Sequence, residues 1–444
     1  MGDDFMTGSS IGTGVQASRA SGARRPWTGA ALGQRLRRRR SRKRRRLQAP
    51  PSVAILLPHL GEADATGMDA WTEYQVLRRR GLRVTLHASR FEPAWAPLVR
   101  PLDEAARAHI LIYHHAVNWP EGEEILRRHR GRARILRYHN VTPPEFFALY
   151  SPVLAADLAE GRAQTERLVR LCTHWTADSH FNLQDLLQAG ALPRRTTVLP
   201  PFHQAEALRA VPADPAPEQE LAAAGAAGVV LFIGRRAPNK GLHHFVRVAE
   251  ACRRMHPPVR FVWVGKEHSG PPGYEPEIEE YVDEHGLRSV VLLRGQVPLP
   301  SLKGYYQACD VFLSLSEHEG FGVPILEAQA LGKPVVALAR AAVVETAGPH
   351  AVLVSDLDYD HIAQVIVQLL RDPGWRQQLG AAGHVNYARR FAGPILEAQF
   401  VRLIRRAWAA TGRRRRRRHR GARGRGAVGA TVRSHAARHR RGGA

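Results

Sequence analysis

Along the middle of the chain short apolar runs alternate with segments of helical spacing, and polar, glycine- or proline-bearing stretches separate the two. SVAILLP (52–58) reads as a first buried strand. Met68, Trp71, Tyr74 and Leu77 then share one helix face through about Arg79, with Asp69 placed to cap the start. GLRVTLHA, HILIYHH (109–115) and RILRYHN (134–140) supply further strands, with a helix over roughly Glu121–Arg130 between the last two. WTADSHFN (175–182) leads from a strand end into a helix, and TTVLPPF (196–202) closes the first half. A stretch rich in Ala, Pro and Glu, 205–227, has no strand pattern and reads as a linker. The series restarts with GVVLFIGR (228–235), RFVWVG (260–265), SVVLLRG (289–295), DVFLSLS (310–316) and PVVALA (334–339), and 359–372 and 374–411 have helical spacing. Strands alternating with helices imply parallel sheets with helical crossovers. The expected fold is therefore α/β, with two Rossmann-like doubly wound domains at 51–204 and 228–390. A C-terminal helix, 391–411, is expected to cross back onto the first.

Charge changes this picture only at the ends. The formal net charge is +25, but it lies almost wholly in 1–48 and 412–444, which leaves the body 49–411 close to neutral. RLRRRRSRKRRRL (35–47) and RRRRRRHRGARGRG (413–426) hold too few apolar residues to pack a core, and disorder is expected for 1–50 and 412–444. Such runs attract polyanions and anionic lipid headgroups without sequence choice. No aromatic residues interleave them, so nucleic acid is not an expected partner, whereas an anionic membrane surface is. Cys172, Cys252 and Cys309 are too sparse and too far apart for a disulfide framework or a zinc site, which suits a reducing compartment. No apolar run approaches the roughly 20 residues that span a bilayer. The expected location is the cytoplasm, including the inner face of the membrane.

The most informative stretch is SEHEGFGVPILEAQALGKPVVAL, starting at residue 316. Glu319 and Glu327 are separated by GFGVPIL, between a short apolar strand and a second one. This reads as strand, glycine-bearing loop, helix, strand, with Pro324 at the first helical position and Glu327 in the first turn. Both carboxylates would then face the space beyond a strand's carboxyl end, where open α/β sheets bind ligands, and helix-start N–H groups nearby can receive a phosphate.

The block resembles the E-x7-E signature of the family-4 retaining glycosyltransferases, which have the two-domain GT-B fold with a cleft between facing Rossmann-like domains. GRRAPNKG (234–241) is similar to that family's phosphate-binding segment, which points to Arg235 and Lys240, with Arg236 as the rival to Arg235. RYHNVTPPEFF (137–147) resembles a bacterial, polysaccharide-type subgroup with a YHN-TP segment, in which a His faces the cleft; His139 fits that place. Asn140 and Thr142 could bond sugar hydroxyls or cap the following turn. Gly61 and Gly67 stand where relatives carry a glycine loop, and Asp178, Ser179 and Glu345 match further segments near the cleft. DLDYD (356–360) spells a metal-binding DxD, but it precedes an amphipathic helix and reads as caps.

What the resemblance implies is metal-independent transfer of a hexosyl unit from a nucleotide diphosphate sugar to a hydroxyl of a polysaccharide or lipid-linked oligosaccharide. The nucleotide sugar is a substrate, and no cofactor is expected. Glu319 and His139 would be catalytic. Arg235 and Lys240 would hold the diphosphate, Glu327 the ribose, and backbone N–H groups of Phe321 and Gly322 the sugar or diphosphate. The alternatives are a nucleotide-sugar epimerase on the same fold, or a noncatalytic protein that binds sugar nucleotides or polyanions.

Overall fold

The computed structural model describes residues 50–61, 64–223, 225, 227–255 and 259–410. Both arginine-rich runs, and the disorder expected of them, lie outside the described residues. The first sheet contains β1 (Ser52–Leu60), β2 (Arg83–Phe91), β3 (Ile110–His115), β4 (Ala133–Tyr138), β5 (His174–Ala177) and β6 (Thr196–Val198). The second contains β7 (Gly228–Ile233), β8 (Val259–Val264), β9 (Val291–Arg294), β10 (Val311–Ser314), β11 (Val335–Leu338) and β12 (Val352–Val354). Their spatial orders are β2-β1-β3-β4-β5-β6 and β12-β11-β10-β7-β8-β9. Neighbouring strands run parallel throughout. These are two Rossmann-like doubly wound domains. Strand order reverses between β1 and β3 and between β7 and β10, which puts the ligand crevice beyond the carboxyl ends of those strands.

Burial on both faces explains the unbroken apolar runs. In β1, Val53, Ile55 and Leu57 point into one core, and Ala54 and Leu56 into the opposite one. The helix at 393–410 covers the first of these with Leu396, Phe400, Leu403, Ile404 and Ala407, at the spacing of one helix face. Arg79 and Arg80 pair with Glu397 at the rim of this contact. The second domain has one continuous core around Val230, Phe261, Phe312 and Val336. Among the described residues, no helix is long and apolar enough to cross a membrane.

Some element boundaries differ from the pattern-based reading. The cap of the first helix, Ala65–Arg79, is Asp64, whose carboxylate accepts from the N–H groups of Thr66 and Gly67. Asp69 lies inside that helix, fully buried, so it has another task. The linker contains two short helices, Ala205–Ala210 and Ala216–Ala223. The last helical stretch is divided into Pro373–Arg390 and 393–410. Strand β12 carried no signal because three residues are too few to show a period.

Phe400 is fully buried and meets Phe202 edge to face at 5.8 Å between ring centroids. Phe400→Ala should therefore cost about 3–5 kcal/mol, read from urea unfolding. An unchanged midpoint would mean that the final helix contributes nothing to the first core.

Candidate active site

The loops that follow β7 and β10 meet at the switch point of the second sheet and are tied together by backbone. The N–H groups of Glu317 and His318 donate to the Asn239 carbonyl at 3.0 and 3.3 Å, and the Asn239 amide donates to the His318 carbonyl at 3.2 Å. That zipper brings Lys240 Nζ within 2.7 Å of the Glu319 carboxylate. Both are mostly buried, with side-chain exposures of 17% and 10%, so solvent screens the pair only partly. Arg235, by contrast, is exposed and forms no ion pair among the described residues. Its rival, Arg236, is buried and committed to Glu275 at 3.1 Å and Glu267 at 3.3 Å. Of the two, only Arg235 is free to meet a ligand.

Gly322, in the left-handed region at φ 96°, starts the helix Val323–Ala330 and leaves its first-turn N–H groups without a side-chain cap. Pro324 is the second helical residue and Glu327 the fifth. Glu327 therefore sits beyond the first turn and turns inward, where it is buried rather than facing solvent. Its Oε2 accepts from the Tyr306 hydroxyl at 3.0 Å. Burial pushes its pKa up to about 7, and the Tyr306 hydrogen bond only partly opposes the rise. Glu319 is likewise buried, so neither acid opens onto bulk solvent beyond the strand ends. The Phe321 ring packs with Leu326, Tyr387 and Phe391 in a small apolar cluster, so only its backbone is left to touch a ligand.

In the first domain the structure assembles a buried polar network that sequence reasoning missed. Arg137, on β4, is wholly buried; its Nε donates to Asp69 at 2.8 Å, and its guanidinium lies 3.0 Å from Asp178 and 3.6 Å from Glu73. Further N–H groups donate to the carbonyls of Leu199 and Pro200 just past β6. His139 joins through Nδ1 to Asp178 at 2.8 Å, and its Nε2 lies 2.9 Å from His114 Nδ1. His114 continues to Glu73 at 3.3 Å. Burial alone would lower the His139 pKa, but the Asp178 charge and hydrogen bond outweigh it and hold the ring above its ordinary value. Both His139 nitrogens are thus occupied by protein, and the ring does not present a free nitrogen to the crevice as expected. The available signals were an arginine inside an apolar strand and Asp69 and Glu73 at i, i+4 on a buried helix face.

The two domains touch through the same loops. Gly320 presses on the end of β4: a Cβ there would lie 2.4 Å from the His139 carbonyl, so only glycine fits. Asn140 adopts φ 75°, a conformation Asn tolerates better than most residues. Its Oδ1 accepts from His318 Nε2 at 3.2 Å, and its amide donates to Asn182 at 2.9 Å. Burial lowers the His318 pKa to about 4, so the ring bridges the domains as a neutral donor. Ser179 caps the helix His180–Gln188 and donates to the Gly320 carbonyl at 3.0 Å. Glu345 accepts from the His180 N–H at 2.6 Å and pairs with its ring at 2.8 Å. Asp178, Ser179, Asn140 and Glu345 therefore shape or join the interface, while Asp358 of DLDYD caps the helix Tyr359–Arg371.

Residues 216–385 match the family model described as "Glycosyl transferases group 1". The chain is 32% identical over 241 residues to a D-inositol 3-phosphate glycosyltransferase of Frankia alni, which covers 52% of this chain and 58% of that relative. It is 31% identical over 169 residues to the O-antigen chain mannosyltransferase B of Escherichia coli, covering 37% and 42%. The chain thus spans about half the length of the curated relatives it matches. Among solved structures, HepE of Anabaena in complex with UDP-glucose superposes with a TM-score of 0.63 at 18% identity, covering 80% of this chain and 99% of that one. Sucrose-phosphate synthase from Thermosynechococcus elongatus gives 0.61 at 20% identity, covering 81% and 100%. At these identities the likeness shows the fold, and that fold is GT-B.

Glu327 makes one consequence measurable. Its folded pKa of about 7 lies above its ordinary value of 4.5, so the folded chain keeps a proton that the unfolded chain releases in that interval. Stability from this group is full below the lower value and falls as pH rises to the upper one. Glu327→Gln stays neutral throughout, so its stability relative to the parent should improve by roughly 2–3 kcal/mol between pH 4.5 and 8. Equal differences at both pH values would place an ordinary carboxyl at this position.

Proposed function

We propose that the chain is a retaining, metal-independent glycosyltransferase that moves a hexosyl unit from a nucleotide diphosphate sugar to a hydroxyl of a polysaccharide or lipid-linked oligosaccharide. The observation that carries this reading is the Lys240–Glu319 pair at the switch point, with exposed Arg235 and an uncapped helix start beside it. Breaking the bond between sugar and diphosphate places negative charge on the leaving group. Arg235, Lys240 and the first-turn N–H groups are cations and dipoles set in place before that charge develops, which is where they stabilise a transition state most. Arg235 can grip two phosphate oxygens, while Lys240 acts as a point charge.

The pairing gives Glu319 its part. A bound diphosphate competes for Lys240 and releases the Glu319 carboxylate. That carboxylate is then left to accept from the transferred sugar's hydroxyls and to face the positive charge growing at the anomeric carbon. Glu327, ionised above neutral pH, would accept from the ribose hydroxyls. The first domain supplies the acceptor side, with His139 held by Asp178 and His114. Similarity to proteins named for UDP-glucose, inositol phosphate and O-antigen chain supports a nucleotide sugar donor and a hydroxyl acceptor. The arginine-rich runs would hold the enzyme at an anionic membrane surface on the cytoplasmic side, and the three buried, unpaired cysteines suit that compartment.

Offering UDP-, GDP- and ADP-sugars and recording which nucleotide is released tests the activity and identifies the donor. Arg235→Ala and Lys240→Ala should each lower turnover by about a hundredfold or more, with the fold untouched in the first and somewhat less stable in the second, where Glu319 loses its partner. Arg236→Ala should fail differently, by loss of stability, because it strands the buried Glu275 carboxylate. Normal turnover in both Arg235 and Lys240 variants would remove the diphosphate assignment.

A further inference from the structure

In the same two loops, two histidines and a glutamate to which the proposed transfer chemistry assigns no part converge. His243 and His244 open the helix Leu242–Met255 just after Lys240 and Gly241, and Glu317 precedes the catalytic loop. Glu317 Oε1 lies 3.1 Å from His244 Nε2 and 3.8 Å from His243 Nε2. One ligand atom from each residue falls within 4.8 Å of the other two. Bonds of about 2.0–2.2 Å to a shared ion would produce separations of this order.

The far side of each ring is already held. His243 Nδ1 is bonded to the Tyr274 hydroxyl and His244 Nδ1 to the Tyr359 hydroxyl, both at 2.9 Å. Such partners fix the orientation of metal-binding imidazoles and leave the opposite nitrogen to the ion. Side-chain exposures of 29% for His243 and 33% for Glu317 give an ion a way in and room for water, while His244 at 9% is anchored. In the ion's absence His244 Nε2–H donates to Glu317. Binding requires that proton to leave, with the ring then carrying its hydrogen on Nδ1 toward the Tyr359 oxygen.

We propose that His243, His244 and Glu317 form a binding site for a divalent zinc-class ion that clamps the loop after β10 to the start of this helix. Two imidazoles and one carboxylate suit zinc rather than magnesium or calcium, which prefer oxygen. Arg340 acts on Glu317 from further away, so affinity must come from the imidazole lone pairs rather than from net negative charge. The ion lies outside the transfer step. It would act by stiffening the segment that carries Glu319, two residues along.

The test uses the full chain, incubated with zinc chloride, desalted and measured by elemental analysis and thermal unfolding, with cobalt(II) as an absorbing substitute. About one equivalent should be retained, the melting temperature should rise with zinc, and cobalt should give the visible bands of a low-coordinate site. A His243→Ala/His244→Ala double variant and Glu317→Gln should each hold less than about a fifth as much metal and show no zinc-dependent melting shift. His114→Gln, which breaks the buried cluster of Asp69, His114 and His139, the other place among the described residues where ligand atoms converge, should keep its metal. Should a variant melt early without metal, metal retention by His114→Gln, together with imidazole and carboxylate shells in X-ray absorption of the parent, decides the matter. Retention below a tenth of an equivalent by the parent, or loss of metal only in His114→Gln, overturns the proposal.

Discussion

A single buried guanidinium organises the first domain. Arg137 carries a charge with no access to water, and only surrounding anions and carbonyls make that tolerable. Its partners come from three places: Asp69 and Glu73 on the first helix, Asp178 after β5, and the carbonyls of Leu199 and Pro200 after β6. Each element must end where the guanidinium can reach it, so the carboxyl edge of the sheet is set by electrostatics as much as by packing. His139 and Asn140, the next residues but one and two along the same strand end, inherit their positions from that constraint. Removing one partner would leave the others buried and uncompensated, a loss of about 3–5 kcal/mol.

The second domain reaches the same place by backbone geometry. Asn239 zips the loop after β7 to the loop after β10, and Gly320 lets the second loop touch the end of β4. The contact between domains therefore runs through His318, Gly320, Asn140 and Ser179, immediately beside the Lys240–Glu319 pair. A ligand that separates Lys240 from Glu319 acts within a few residues of that contact. Under the proposed function, donor binding and the relative placement of the two domains would thus be linked by chain connectivity.

The fold was legible because both sheets are parallel and covered on both faces. That demands apolar runs too dense to mistake, and the glycine-bearing loops between them mark the crevice. The placement of Glu319, Lys240 and Arg235 was legible for a similar reason: each lies in a loop at a strand end, where the spacing in the chain nearly fixes the spacing in space. The polar network was not. Asp69 reads as a cap because Asp is a common cap, and only the long-range meeting with Arg137, 68 residues away, shows otherwise. The inward turn of Glu327 also depends on a distant residue, Tyr306, and on a helix that begins one residue before the proline.

Glu319 and Glu327 end in opposite electrostatic settings, and under the proposed function that difference would divide their work. Glu319 is paired with the Lys240 ammonium at 2.7 Å. Among the described residues Glu327 has one neutral hydroxyl for a partner and no ion pair, and burial pushes its pKa up to about 7. Under the proposed function, the carboxylate beside the lysine is the one placed to meet charge developing at a reacting carbon. A group that titrates near neutrality is better used against hydroxyls, which it can meet as an acceptor when ionised. The identical side chains, eight positions apart, are distinguished by what surrounds them: a lysine in one case and a tyrosine in the other.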